Sequence, residues 1–490
     1  MTTENKNTPH EEVNKKDENN EAALINNHKK LSFRELFQRA LKGDHKDLTT
    51  GSIGVAAFLL AVPMVLEMLM ESIFAITDIF FVSGLGAQAV AVVGLTEAVL
   101  TLLYALAIGL SMAVTATIAR RYGEKNIEQA DIVAGQTLWI GMAVALFVGF
   151  IGLNFSEDIL HLMGGSESLI QEGKTYTTIM LSGSITILYL FLINAIFRGA
   201  GDASIAMRSL WLANGINIML DPLLIYGVGP FPEMGLTGAA VATTIGRGVG
   251  VIYQLSYLFG VAGRIKITLK HLLIQTEVCF KLIKVSFWGI VQFLIATASW
   301  IALVRIVSTY GSDAVAGYTI AIRIIMFVIL PAWGLSNAVA TLVGQNLGAG
   351  KPERAEQSVW RIAKYNIYFL LSVAVVFITI PAQIVGLFTD NQNVISYATD
   401  CLRFISYGNG FFALGMILVQ AFNGAGDTMT PTKINFFCYW LIQIPVAYGL
   451  AKWLSLGPTG VFLAITIAQS IFAFVGWQVF KKGQWKLQAV

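Results

Sequence analysis

The first long apolar segment of the chain, residues 51–82, most constrains what this sequence can fold into. It is long enough to cross a bilayer as a helix, yet it contains three carboxylates, Glu67, Glu71 and Asp78. Spacings of four and seven residues place these side chains on one face of a helix. Because a carboxylate at mid-bilayer costs roughly 2.5–3.5 kcal/mol, that face must contact other helices or a water-filled cavity. The segment is typical of a transporter with several spans whose first span handles an ion.

The overall composition excludes most soluble folds. Only 13% of the 490 residues are charged and 55% are hydrophobic, whereas a soluble chain carries about a quarter charged residues. The three cysteines, Cys279, Cys401 and Cys438, lack the paired spacing of a disulfide framework or a cysteine metal site. The five histidines fall outside the apolar segments, which argues against a haem or a histidine–metal centre in the bilayer. We expect no cofactor, and no metal other than Na⁺ at a cation site.

About twelve apolar segments follow one another, which predicts an all-α polytopic membrane protein. The expected spans are 51–82, 89–119, 131–154, 175–198, 205–227, 236–260, 278–308, 314–345, 360–381, 397–423, 432–454 and 459–480.

The connections between these spans alternate in charge. One set carries most of the basic residues outside the tail, from Arg120 to Lys486, while the other holds little beyond Lys174, Arg403 and Lys452. The positive-inside rule places the basic set and both termini in the cytoplasm. The predicted location is the bacterial cytoplasmic (inner) membrane.

The polar N-terminal region precedes the first span. Residues 1–30 are expected to be disordered because they lack apolar periodicity, and no apolar core follows a basic start as in a signal peptide. Apolar residues at steps of three and four in 31–43 predict a short amphipathic helix. Both a helix on the inner membrane surface and a solvated tail helix fit that pattern.

The chain contains an internal repeat. Ser111 and Ser336 begin related segments, as do Phe197 and Phe422 (FRGAGD and FNGAGD) and Gly86 and Gly311, and each pair lies 225 residues apart. The register slips by three near the end, where GLTG at Gly235 matches GPTG at Gly457. Because each unit has six spans, both enter the membrane from the same side, which predicts two six-helix lobes related by a pseudo-twofold axis along the membrane normal.

Three stretches together resemble the multidrug and toxic-compound extrusion (MATE) family. They are the ITDIFFVSGLG run from Ile76, the paired GAGD hinges, and LPAWGLSNAVATLVGQNLGAGKPERA from Leu330. The resemblance covers nearly all of 49–480 and implies cation-coupled export of organic cations by two six-helix bundles. The expected domains are a cytoplasmic tail (1–48), an N-terminal lobe (49–262), a cytoplasmic linker (263–277) and a C-terminal lobe with a short basic tail (278–490).

Four residues form the candidate cation site: Asp78, Asn217, Asp221 and Thr243. Asn217 and Asp221 lie four apart and share a helix face, and all four positions fall in the outer half of their spans. Two carboxylates with amide and hydroxyl oxygens suit a hard cation. In the resemblance, these positions match the first-lobe cation site of archaeal and DinF-like members. The alternative is structural: Asp221 caps a helix break before Pro222, and Asp78 bonds to backbone.

Glu67, Glu71 and Glu97 exceed what that site requires. They are candidate proton or substrate sites, or else structural partners of Arg247, Arg305 or Arg323. Pro63 leaves a carbonyl unpaired and permits a bend in the first span, and the family has a bending proline there; a static kink is the alternative. Spans seven and eight contain no acid, and span ten has only Asp400 at its edge. This departs from NorM-like members and places coupling in the N-terminal lobe.

The sequence therefore predicts an antiporter that exports organic compounds, with cations as the expected class, by alternating access, driven by Na⁺ or H⁺. Asn and Thr oxygens favour Na⁺ because they coordinate it but relay no proton. A lipid-linked oligosaccharide flippase is the alternative, although its cleft would be lined by cationic residues. A membrane-embedded enzyme or a channel is more remote, since no catalytic constellation or filter-like loop occurs in the spans. The expected partners are small organic cations and the lipid bilayer, without nucleic acid or an obligatory protein.

Overall fold

A computed structural model describes residues 32–43, 47–260 and 263–488. The N-terminal part forms eight helices: α1 (Phe33–Lys42), α2 (Ile53–Ser83), α3 (Ala87–Gly123), α4 (Ile127–Leu162), α5 (Glu167–Ser182), α6 (Ser184–Gly199), α7 (Ala203–Ile225) and α8 (Gly235–Leu258). The C-terminal part forms nine: α9 (Thr276–Val307), α10 (Ser312–Gly348), α11 (Pro352–Thr379), α12 (Pro381–Val385), α13 (Gln392–Tyr407), α14 (Asn409–Gly424), α15 (Met429–Asn435), α16 (Ile444–Tyr448) and α17 (Pro458–Lys481). The predicted disorder of 1–30 lies outside the described residues.

These helices supply the expected spans of an all-α membrane protein. Within the described ranges, ten helical segments are long and apolar enough to cross a membrane, and the pair α13–α14, bent by 58°, is an eleventh. Helix α7 occupies the remaining position in the first lobe, but it carries Arg208, Asn214, Asn217 and Asp221 and does not reach the same hydropathy. The fourth span is α5 followed by α6, and the eleventh runs from α15 to Trp453 through two π-helical stretches.

The 225-residue repeat is visible in the backbone. Gly86 and Gly311 precede α3 and α10 with φ of 103° and 104°, a region open to glycine. The GAGD hinges close in the same way: the Asp202 amide donates to the Phe197 carbonyl at 2.8 Å, and the Asp427 amide donates to the Phe422 carbonyl at 3.0 Å. The two lobes are thus two copies of one supersecondary unit.

Helix α2 belongs to both lobes. Its N-terminal part, including Leu60 and Met64, packs in a core with Val339 and Phe422 of the second lobe. Its last turn, at Val82, packs in a core of the first lobe. Pro63 lies within the part that contacts the second lobe, and the helix continues through it. Movement of one lobe relative to the other must therefore displace or bend α2.

The lobes are joined at one end of the bundle, which we call the basic end. It consists of the connections 124–126, 200–202, 263–275, 349–351 and 425–428 with the described segments that precede α2 and follow α17. Here Thr341 donates to the Arg198 carbonyl at 3.0 Å and Gln345 to the Gly199 carbonyl at 2.9 Å. Arg120 of the first lobe donates to the Gln488 carbonyl at 2.7 Å. Among the described residues, the inter-lobe hydrogen bonds lie at or near this end.

The short helix α1 lies against the basic end. The ring of Phe33 meets that of Phe58 edge-on at 5.7 Å, and Ala40 is buried. Gly43 ends the helix with φ of 77°, close to the side chains of Asp202 and Ser204. The amphipathic segment thus forms a helix that packs on the protein's own spans.

Candidate functional site: an acidic interior in the first lobe

Three of the four predicted cation-site residues form one hydrogen-bonded group. Nδ2 of Asn217 donates to Oγ1 of Thr243 at 3.0 Å and lies 3.4 Å from Oδ1 of Asp221. The bond to Thr243 is possible because α7 and α8 pack closely: a Cβ on Gly246 would lie 2.6 Å from the Ala213 carbonyl oxygen. Asn217, Asp221 and Thr243 are all buried.

This group leaves two acceptor oxygens without a partner. Oδ1 of Asn217 and Oδ2 of Asp221 are buried and accept no hydrogen bond from the described residues. A buried acceptor without a donor is costly, so a cation or a proton between these atoms would stabilise the group. The donor set contains oxygen atoms alone, which suits Na⁺ or a proton better than a transition metal.

Asp78, the fourth predicted residue, stands beside this group. It is half-buried on α2, five residues before the helix ends, and its charge acts on that of Asp221. None of the described hydrogen bonds joins Asp78 to Asn217, Thr243 or the backbone. A cation held between Asp78 and Asp221 would link α2 to α7.

The structural alternative for Asp221 is wrong. Helix α7 runs from Ala203 to Ile225 without interruption at Pro222. Asp221 therefore caps no helix break, and its burial is unexplained by backbone capping.

A second cluster surrounds the buried guanidinium of Arg247. The Glu71, Glu97 and Asp78 carboxylates all act electrostatically on it. Nη1 of Arg247 donates to the Tyr104 hydroxyl at 3.3 Å, and its guanidinium lies 5.7 Å from the centre of the Phe74 ring. Among the described residues no direct ion pair joins Arg247 to Glu71 or Glu97, so their structural pairing stays a prediction.

Glu67 has partners that the sequence did not indicate. Its Oε1 accepts hydrogen bonds from Asn194 at 3.1 Å and from Arg198 at 3.4 Å. The amide of Asn214 similarly donates to Glu71 at 3.0 Å. Arg198 lies at the end of α6, beside one of the basic connections, but its side chain is only 11% exposed. The available signal was its position in the FRGAGD motif, one turn from Asn194 on α6.

The second lobe lacks an equivalent site. The repeat places Leu303 at the position of Asp78, and Leu303 is fully buried. It also places the neutral pair Gln292 and Asn423 at the positions of Glu67 and Arg198. Asp78 and Glu67 of the first lobe therefore have no acidic counterpart at these positions of the second. Among the described residues, no group of three or more His, Cys, Asp or Glu side chains could hold a metal ion.

Comparison with known proteins gives one consistent family. The family model MatE matches twice, at residues 63–223 and 289–449, once in each lobe. The chain is 29% identical to a probable multidrug resistance protein NorM of Thermotoga maritima, over 88% of this chain and 93% of that protein. It is 28% identical to the probable multidrug resistance protein YoeA of Bacillus subtilis, over 87% and 94%. A FAD transporter of Shewanella oneidensis is 25% identical over 86% and 93%.

Solved structures agree with this result. A crystal structure of MATE in the straight conformation has a TM-score of 0.84 and 28% identity, covering 90% of this chain and 98% of that one. A MOP superfamily transporter from Pyrococcus furiosus has a TM-score of 0.84 and 27% identity over the same shares of the two chains. The similarity extends over both lobes.

Proposed function

The chain belongs to the MATE family of multi-pass membrane transporters, which are not enzymes, and we propose that it is an antiporter that exports small organic cations in exchange for Na⁺ or H⁺. The observation that carries the proposal is the buried group in the first lobe, where Asn217 and Asp221 present unpartnered oxygens beside Asp78. Its relatives in Thermotoga and Bacillus carry the description of probable multidrug resistance proteins, which supports drugs or toxic compounds as cargo.

The charge balance inside the first lobe supports a cationic cargo. Five carboxylates (Glu67, Glu71, Asp78, Glu97 and Asp221) face two guanidinium groups, those of Arg198 and Arg247. An excess of negative charge in a low-dielectric interior attracts cations and repels anions. The same balance argues against an oligosaccharide flippase, whose pyrophosphate cargo would need a cationic cleft.

Alternating access supplies the mechanism. We infer that the basic end faces the cytoplasm of a bacterial inner membrane, as the positive-inside rule requires. With the lobes joined there, the cation site would be reached from outside. A cation drawn between Asp78 on α2 and Asp221 on α7 would alter the course of α2 at Pro63, and α2 also packs against the second lobe. Binding would thereby favour return to the form open to the cytoplasm.

The driving force is sufficient for export. One cation entering down ~100 mV supplies ~2.3 kcal/mol, and a tenfold concentration gradient adds about 1.4 kcal/mol. Together they support roughly several-hundredfold accumulation of a cargo that moves no net charge itself. Asn and Thr oxygens favour Na⁺ as the ion.

Proteoliposomes test the proposal. Purified protein would be reconstituted with ethidium as the cargo, and an inward gradient of Na⁺ or of H⁺ would be imposed in turn. We expect Na⁺-driven ethidium movement in the wild type, its loss in Asp78→Asn, and its retention in the matched control Glu172→Gln, an exposed carboxylate on α5. Movement driven by H⁺ alone and lost in Asp78→Asn would identify a proton carrier instead. Equal activity of Asp78→Asn and the wild type would exclude the site.

A further inference from the structure

A cavity of about 190 Å³ lies between the lobes, on the side of the basic end. Its lining includes pairs of residues exactly one repeat apart: Ile108 with Trp333, Met112 with Asn337, and Arg198 with Asn423. Residues at equivalent positions of two lobes can meet in one cavity only near the axis that relates them. The cavity therefore lies on the pseudo-twofold axis, separate from the group around Asp221.

Two acceptor oxygens from opposite lobes are unsatisfied in the lining of this cavity. Oε2 of Glu67 and Oδ1 of Asn423 are buried without a hydrogen-bond partner among the described residues. Glu67 is 2% exposed and Asn423 is 1% exposed. Each needs a donor, and the cavity is large compared with the roughly 30 Å³ that one water molecule takes in the liquid.

The neighbouring amides make other hydrogen bonds and do not supply those donors. Oδ1 of Asn194 accepts from Gln254 at 2.5 Å and from Ser209 at 3.2 Å, so its NH₂ group must point to Oε1 of Glu67. In the other lobe the Asn423 amide donates to Gln420, whose own amide donates to Asn337 at 3.0 Å. These hydrogen bonds leave Oε2 of Glu67 and Oδ1 of Asn423 without a donor.

The net charge of the residues that line the cavity favours the binding of one cation. Glu67 and Glu71 carry two negative charges, and Arg198, at 3.4 Å from Glu67, carries one positive charge. With all three ionised the cavity has a net charge of about −1. A monovalent cation with N–H groups would satisfy both the charge and the orphaned oxygens.

We propose that this axial cavity is a cargo site for the protonated amino group of a small organic amine, held between Glu67 of the first lobe and Asn423 of the second. The inference rests on the proposed export of organic cations and defines a chemical class within it. A quaternary ammonium has the same charge but no N–H donor, so it leaves both oxygens unsatisfied. Because its ligands come from both lobes, the site is complete only while the basic end is closed.

Isothermal titration calorimetry on the full-length protein in nanodiscs tests the site with two matched probes, benzylammonium and benzyltrimethylammonium. We expect benzylammonium to bind the wild type at least tenfold more tightly. Glu67→Gln, whose amide oxygen still accepts from Asn194, should weaken benzylammonium at least tenfold, and should weaken the quaternary probe less, because that probe loses only the attraction of the charge. Asn423→Asp keeps the acceptor and adds a charge, so it should tighten benzylammonium at least threefold. Glu172→Gln should match the wild type.

Equal affinity of the wild type for the two probes, or binding of benzylammonium that neither variant changes, would overturn the proposal. Ion-driven ethidium movement in the same preparations separates this result from the proposed function. If ethidium movement is retained but amine selectivity is absent, the proposed export function holds and the axial cargo site is excluded. Amine selectivity that decreases in Glu67→Gln and increases in Asn423→Asp supports the site whichever ion drives transport.

Discussion

At the scale of single residues, the Thr243 hydroxyl positions the Asn217 amide for the candidate cation site. Nδ2 of Asn217 donates to Oγ1 of Thr243, which leaves the amide oxygen free to face a cation. Thr243→Val removes the hydroxyl at nearly constant volume, so Asn217 loses an acceptor that holds its orientation. We expect about a tenfold rise in the Na⁺ concentration that half-saturates transport, equivalent to about 1.4 kcal/mol.

The control for that measurement is Thr243→Ser, which keeps the hydroxyl. Its half-saturating Na⁺ concentration should stay close to that of the wild type. If Thr243→Ser and Thr243→Val shift it equally, packing between α7 and α8 rather than the hydroxyl sets ion affinity.

The buried guanidinium of Arg247 balances several carboxylates. It interacts electrostatically with Glu71, Glu97 and Asp78, so its removal leaves these carboxylates less compensated in a poorly solvated interior. We expect Arg247→Ala to lower the thermal unfolding temperature in detergent clearly. Adding Glu97→Gln to Arg247→Ala should recover part of the loss. A double variant no more stable than Arg247→Ala would contradict this account.

Sequence reasoning reached the acids but not their partners. Helical spacing alone places Glu67, Glu71 and Asp78 on one face, because that relation is local. Asn194, Arg198 and Asn214 lie more than a hundred residues away in the chain, and only packing of α6 and α7 against α2 brings them to the glutamates. The predicted roles of the four cation-site residues and of Glu67, Glu71 and Glu97 stay predictions.

At the scale of helices, α3 and α10 approach too closely for side chains. A Cβ on Gly123 would overlap the Gln345 carbonyl of the other lobe, whereas a Cβ on Gly94 of the same helix α3 would meet nothing within 4 Å. We expect Gly123→Ala to destabilise the arrangement with the basic end closed by about 1–3 kcal/mol, because the added methyl group overpacks this contact. Gly94→Ala should leave it unchanged.

Alkylation of a buried cysteine measures that difference. Thr115 lines the axial cavity, so Thr115→Cys in a Cys279→Ser background reports opening of the basic end. Reaction with a membrane-impermeant maleimide in inside-out vesicles should be at least threefold faster with Gly123→Ala than with Gly94→Ala. Equal rates would mean that the contact does not hold the lobes together.

Helix α2 carries Asp78 and packs against both lobes, so we propose that it couples ion binding to both. Proline has no amide hydrogen, so Pro63 leaves the Leu59 carbonyl without its helical partner and makes the helix easier to bend. Pro63→Ala restores that bond. We expect it to slow ion-driven ethidium transport at least fivefold while ²²Na⁺ binding stays within twofold. Unchanged transport would assign Pro63 to static packing.

The sequence predicted where spans occur better than how they are broken. Long apolar runs specify crossing helices, but α5 gives way to α6 at Gly183, and α13 to α14 at Gly408. These glycines are 225 residues apart, so the repeat carried a signal for both breaks. The predicted span 432–454 did not indicate the π-helical stretches 436–443 and 449–453.

At the scale of the whole molecule, duplication determines the architecture and divergence determines the chemistry. The repeat predicted two parallel lobes, and equal backbone angles at Gly86 and Gly311 reflect it. Substitution then left Leu303 where the first lobe has Asp78. The closed basic end could not be predicted, because its inter-lobe bonds involve backbone carbonyls whose positions no residue type specifies. The residue bounds proposed for the lobes stay a prediction.

The turn before the first span is held by the second lobe. Asp47 accepts hydrogen bonds from the Thr49 amide at 2.8 Å and hydroxyl at 2.6 Å. Partial burial raises the pKa of the Asp47 carboxyl, but those bonds and the charge of Lys351 outweigh it and lower the pKa below its usual value. The ionised turn directs its carbonyls at Arg354, which donates to those of Leu48, Thr50 and Gly51.

Arg354 therefore joins the segment before α2 to the second lobe through three hydrogen bonds. Hydrogen bonds from a charged group contribute about 1.5–3 kcal/mol. Losing them should change the ratio of the forms with the basic end closed and open about tenfold or more. We expect Arg354→Ala to favour separation of the basic end and approach of the opposite ends. Spin labels at Ser83 and Ser308, both exposed at that opposite end, should report a shorter distance by double electron–electron resonance.

The control is Arg354→Lys, which can reach one carbonyl rather than three and should give an intermediate distance distribution. Identical distributions in all three proteins would show that α2 is held by its apolar packing alone.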